Sequence, residues 1–129
     1  MELVADHMAR DLLTVVAEAT LGEAAQRMVE RGVGAVVVLD GEHVAAILTE
    51  RDVMKAVATG AEGRWLVADW MTRHPDTIEP TDTMDHAASL MIHGGYRHLP
   101  VVDERRVVGI VSIRDVMRVS LDDSTPRGV

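Results

Sequence analysis

Leu21, Ala24, Ala25, Met28 and Val29 recur at the i, i+3, i+4, i+7, i+8 spacing of a helix facing a core, and Met84, Ala87, Ala88, Met91 and Ile92 repeat that spacing. Thr20 with Glu23 predicts a capping box at the first helix start, while Gly32 and Gly94-Gly95 predict the stops. Continuous apolar runs follow each helix. Ala35 to Leu39, the turn signal Asp40-Gly41 and Val44 to Leu48 predict a hairpin of two buried strands. His98 to Val102, Asp103-Glu104-Arg105 and Val107 to Val111 predict a second. Each hairpin runs into a further helix, from Glu50 to about Ala58 and from Ile113 to about Leu121, and short strands are expected near Thr14-Val15-Val16 and Thr77-Ile78-Glu79. The fold class is therefore α/β, in the α+β sense, from two β-α-β-β-α units.

The two units are one unit written twice. Val4-Ala5-Asp6-His7-Met8 returns as Val67-Ala68-Asp69-Trp70-Met71, and an offset of 63 residues then holds without insertion as far as Val57 against Ser120. Thr49 and Ser112, and Asp52 and Asp115, stand at that offset. A repeated unit that cannot bury its apolar face alone does so against its twin, which predicts a pair related by a pseudo-twofold axis. The expected organisation is residues 1–60 as the first domain, a linker over 61–66, residues 67–121 as the second domain and a flexible tail over 122–129.

At 129 residues the chain has the length of about one domain, and a chain of that size buries roughly two-thirds of its unfolded surface. The absence of cysteine removes disulfides, thiolate metal ligands and cysteine nucleophiles, and suits a reducing cytoplasm. With acids near Met1 and no apolar run of membrane-spanning length, a cytoplasmic protein with no membrane partner is expected. A net charge of −8 repels nucleic acid, and Trp65, Trp70 and Tyr96 offer no base-stacking platform, so no nucleic-acid partner is expected.

The chemistry concentrates where strand meets helix, at Thr49-Glu50-Arg51-Asp52 and Ser112-Ile113-Arg114-Asp115. Taken singly, each is an ordinary N-capping pattern, and a fold that needs a cap repeats it. The same groups can also hold a nucleoside: an ionised carboxylate accepts the two donors of a vicinal diol, and free N–H groups at a helix start favour phosphate. Arg51, Arg97, His98 and Arg114 are the cations available to neutralise it.

A gapless duplication of β-α-β-β-α units, each ending in a small residue, two apolar residues and Thr/Ser-x-x-Asp, resembles the CBS domain pair or Bateman module, named after cystathionine β-synthase. The resemblance runs from about Val4 to Leu121. Gly109-Ile110-Val111-Ser112-Ile113-Arg114-Asp115 is similar to the family's ligand turn, and Tyr96-Arg97-His98-Leu99-Pro100-Val101 to the segment before its middle strand. The first copy departs at Ala46, where the family usually has Gly, and at Val37, where the second copy has Pro100; the Ala46 methyl is expected to crowd an approaching ligand. The resemblance implies binding of AMP, ADP, ATP or S-adenosylmethionine in clefts between the copies. Asp52 and Asp115 would accept the ribose hydroxyls, Thr49 and Ser112 would meet ribose or the first phosphate, and Thr14-Val15, Thr77-Ile78, Gly34-Ala35 and Tyr96-Arg97 would surround the adenine.

His7, His43, His74, His86, His93 and His98 lack metal-site spacing, the methionines sit mostly at core spacing, and no serine stands in a nucleophile elbow. No metal site and no enzyme are expected. The leading expectation is a stand-alone regulatory sensor read by an effector protein, and the resemblance implies a flat homodimer. The alternative is a ligand-free dimerisation scaffold of the same fold.

Overall fold

A computed structural model describes residues 1–124. The elements, in chain order, are β1 (Thr14–Val15), α1 (Leu21–Arg31), β2 (Ala35–Asp40), β3 (His43–Thr49), α2 (Glu50–Ala58), β4 (Thr72–Arg73), α3 (Met84–Gly94), β5 (His98–Asp103), β6 (Arg106–Ser112) and α4 (Ile113–Ser124). Of the tail expected over 122–129, residues 122–124 continue α4 and the remainder lies outside the described residues. The described chain divides into two units: the first holds Asp11–Pro75 with Arg105–Val107, the second Met1–Arg10, Asp76–Glu104 and residues 108–124.

In the first unit, α1 starts on the predicted capping box. Glu23 N donates to Thr20 Oγ1 at 3.1 Å, and Thr20 N donates to Glu23 Oε2 at 3.4 Å. It stops at Gly32, whose φ of +64° suits a residue without a Cβ. The sheet has the order β1-β2-β3-β4. β1 runs parallel to β2, β2 and β3 form the antiparallel hairpin, and β4 pairs antiparallel to β3 with Ala46 opposite Arg73 and Ile47 opposite Thr72. Val36, Val37 and Val38 are fully buried, so β2 is covered on both faces, as its unbroken apolar run requires. Leu21, Ala24 and Met28 of α1 pack with Val36, Val38, Ala46 and Leu48. Val67 joins the same core from a single 3-10 turn (Val67–Asp69), held by Val67 N donating to the Ala19 carbonyl at 2.8 Å. Trp65 and Trp70 both belong to this unit, with ring centroids 6.4 Å apart.

The second unit repeats the plan with an element from the chain's beginning. The 3-10 turn Val4–Asp6 buries Val4 among Ile78, Met84, Ala87, Met91, Leu99, Val101 and Val111. Val4 N donates to the Asp82 carbonyl at 2.8 Å, and Ala9 exchanges both backbone hydrogen bonds with Ile110 at 2.9 and 3.0 Å. The expected strand over Thr77-Ile78-Glu79 shrinks to one parallel bridge, Ile78 to Val101. The reason is Pro100. In the first unit Val37 N donates to the Leu13 carbonyl at 3.0 Å, and the proline at the equivalent position has no N–H to give. Gly109 is a glycine because the chain itself comes close: a Cβ there would lie 2.7 Å from Met8 Sδ and 2.9 Å from the Ala9 carbonyl oxygen.

Candidate functional site

In the first unit the predicted residues fall into two groups. Gly34, Ala35, Thr49, Arg51 and Asp52 lie together, because Ala35 pairs with Thr49 across the hairpin and Glu50 N donates to the Gly34 carbonyl at 3.0 Å. Thr14 and Val15 pair with Val37 and Val38, farther along β2, and open instead on a groove of about 530 Å³ bordered by Val16, Ala19, Glu23, Arg27, Leu39 and Gly41. Arg27 closes part of that edge by donating to the Thr14 carbonyl at 3.0 Å.

Asp52 is the N3 residue of α2 and forms a capping box with Thr49. Its Oδ2 accepts from Thr49 N at 2.9 Å and from Thr49 Oγ1 at 3.1 Å, while Asp52 N donates to Thr49 Oγ1 at 3.2 Å. Thr72 Oγ1 donates to both carboxylate oxygens, at 3.1 Å to Oδ1 and 3.2 Å to Oδ2. The acid is 8% exposed. Arg51 stands beside it in sequence with its side chain exposed.

In the second unit Arg97, His98, Ser112, Arg114 and Asp115 come together in the same way, with Ile113 N donating to the Arg97 carbonyl at 2.8 Å. Asp115 Oδ2 accepts from Ser112 N at 2.8 Å and from Ser112 Oγ at 3.1 Å. Among the described residues, Oδ1 meets one donor, Arg118 Nη1, at 3.5 Å. Arg97 and Arg114 are exposed and His98 is half-buried. Ile78 is buried and held by Pro100 and Val102, its N donating to the Pro100 carbonyl at 3.0 Å and its carbonyl accepting from Val102 N at 2.8 Å; Thr77 beside it is exposed.

Tyr96 ties two of these segments together. Its hydroxyl donates to Asp76 Oδ2 at 2.7 Å, joining the residue before Thr77 to the residue before Arg97. Its ring occupies the space a side chain at Gly94 would need. Burial, then the hydrogen bond to Asp76 and that residue's negative charge, push the phenol well above its ordinary pKa. Sequence reasoning passed over Thr72, Asp76 and Arg118. Nothing in the sequence singled out the first, since Ala9 against Thr72 is one of many positions at which the two aligned repeats differ.

Residues 4–59 and 67–122 each match the model of the CBS domain. A 17.7 kDa protein of Acidianus ambivalens is 37% identical over 82% of this chain, which spans 65% of that protein's length. The solved structure of the CBS domain pair of protein MJ0100, in complex with 5'-methylthioadenosine and S-adenosyl-L-methionine, is similar with a TM-score of 0.89 at 28% identity, covering 96% of this chain and 99% of that one. The CBS domain protein PAE2072 from Pyrobaculum aerophilum, complexed with AMP, is similar with a TM-score of 0.84 at 25% identity, covering 95% and 99%.

Proposed function

Because the chain belongs to the CBS domain family, we propose that it is a regulatory module that binds an adenosyl ligand and has no chemistry of its own. The observation that carries this reading is the Ser112 to Asp115 turn. It holds an ionisable carboxylate in place through Oδ2 and, among the described residues, leaves Oδ1 with a single long contact to an exposed arginine. A ribose supplies the two O–H donors that such an oxygen accepts, and the first-turn N–H groups with Arg97, His98 and Arg114 suit a phosphate or another anionic group. The ligands in the similar structures, AMP in one and S-adenosyl-L-methionine with 5'-methylthioadenosine in the other, support that chemistry.

The candidate contacts that the family resemblance supplies are Thr14, Val15, Gly34, Ala35, Thr49, Arg51 and Asp52 around the first turn and Thr77, Ile78, Tyr96, Arg97, His98, Ser112, Arg114 and Asp115 around the second, and the second set is the one the reading rests on. A cytoplasmic homodimer read by an effector protein completes the proposal; no described helix is long and apolar enough to cross a membrane. The test is a thermal-shift screen with AMP, ADP, ATP and S-adenosylmethionine on the wild type, Asp52→Ala and Asp115→Ala. At least one ligand is expected to raise the wild-type midpoint and to lose that effect in Asp115→Ala. No shift with any ligand would leave a scaffold.

A further inference from the structure

The two repeats place the same acid at the same point of the fold, and among the neighbours that differ is the residue opposite the preceding strand. Thr72 stands opposite Ile47, and its repeat equivalent, Ala9, stands opposite Ile110. The backbone arrangement is therefore the same while the hydroxyl is present in one unit and absent from the other. On Asp52 that hydroxyl reaches both carboxylate oxygens, which together with Thr49 gives, among the described residues, three donors to Oδ2 and one to Oδ1, on a residue 8% exposed. Asp115 has the Ser112 donors on Oδ2 and, among the described residues, the 3.5 Å contact from Arg118 on Oδ1, with Arg118 itself two-thirds exposed at 66%.

From this difference we infer that Thr72 sequesters Asp52 as a structural cap and that the chain takes one adenosyl ligand, at Asp115, rather than one at each acid. A diol displacing Thr72 would have to break a hydrogen bond to a buried carboxylate, and bonds to charged groups are the costly ones to lose. A diol arriving at Asp115 displaces a long contact from a solvated side chain, which is worth little. The charge distribution points the same way. Gly34 and Ala35 of the first unit correspond to Arg97 and His98 of the second, so the second unit has two more nitrogen-bearing side chains beside its turn. The ligand class that fits is a phosphorylated adenosine.

The inference rests on the adenosyl-ligand reading, and calorimetric titration of the full chain with AMP separates the two. Wild type is expected to bind one AMP, and Asp115→Asn to weaken it by about tenfold or more. Ala9→Thr, at an exposed position, supplies the second unit with the missing hydroxyl and is expected to weaken AMP by about tenfold or more; Thr72→Ala is expected to raise the stoichiometry to two. Two AMP per wild-type chain, one lost with each acid, would overturn the inference and leave the adenosyl reading standing. No binding of AMP, ATP or S-adenosylmethionine would overturn that reading and the inference with it.

Discussion

Thr72 Oγ1 lies 3.1 Å from Asp52 Oδ1 and 3.2 Å from Oδ2, so one hydroxyl of β4 closes both oxygens of the carboxylate at the start of α2. The two residues are 20 apart in sequence and meet because β4 pairs with β3.

That contact is stabilising whether or not ligand ever binds. Thr72→Ala should cost about 1–2 kcal/mol, while Thr72→Ser keeps the donor and should cost less. Urea unfolding followed by tryptophan emission reads this locally, since both tryptophans lie in the first unit. An unchanged midpoint in Thr72→Ala would show that the hydroxyl contributes nothing to the cap.

Gly109 and Ala46 occupy the same repeat position but meet different neighbours. A methyl at Gly109 would sit 2.7 Å from Met8 Sδ and 2.9 Å from a backbone carbonyl, so Gly109→Ala should destabilise by about 1–3 kcal/mol through overpacking. Ala46 is fully buried in its core, and Ala46→Gly should cost about 1 kcal/mol through lost packing and added chain freedom. Chemical denaturation of the two variants checks both signs, and a neutral Gly109→Ala would mean that the Met8-Ala9 segment moves aside freely.

Val4 and Val67 are fully buried, each on a single 3-10 turn and each anchoring its turn to a core built largely from the other repeat. Val4→Ala and Val67→Ala should each cost about 2 kcal/mol, the transfer of the lost methyl groups plus a small cavity. The measurement is the urea midpoint of each variant, and a change confined to one of them would break the equivalence of the two anchors.

The same anchors mark the boundary of what the sequence discloses. Helix α2 was legible to the residue, because its start carries a cap and its strand partner is an unbroken apolar run. The hairpins were legible because Asp40-Gly41 and Asp103-Glu104-Arg105 interrupt those runs. An offset of 63 residues tells which positions correspond, however, and not which copy each packs against, so the placement of Val4 and Val67 was out of reach. The missing strand at Thr77 was readable in principle, since Pro100 removes a donor that the first unit uses. At the candidate site, Thr49-x-x-Asp52 and Ser112-x-x-Asp115 look alike because each pattern contains only its own cap. What separates them, Thr72 against Ala9, arrives by strand pairing from another part of the chain.

Tyr96 gives the second unit its own pH signature. Its phenol is raised above the ordinary 10.0 by burial and by Asp76, so the folded chain keeps this proton where the unfolded chain begins to lose it. Above that value the unfolded state binds fewer protons than the folded one, so the contribution is complete below pH 10 and declines as pH rises. Tyr96→Phe should flatten the decline, and a phenolate absorbance appearing at the ordinary pH in the folded wild type would contradict the Asp76 contact.

Whether a carboxylate on α4 accepts a nucleoside diol is read by calorimetric titration of the wild type and Asp115→Asn with AMP and with its 2',3'-dideoxy analogue. The expected result is that removing the diol weakens wild-type binding by about tenfold or more and makes little further difference in Asp115→Asn, where the acceptor has already been weakened. Equal affinity of the wild type for AMP and the dideoxy analogue would contradict the claim.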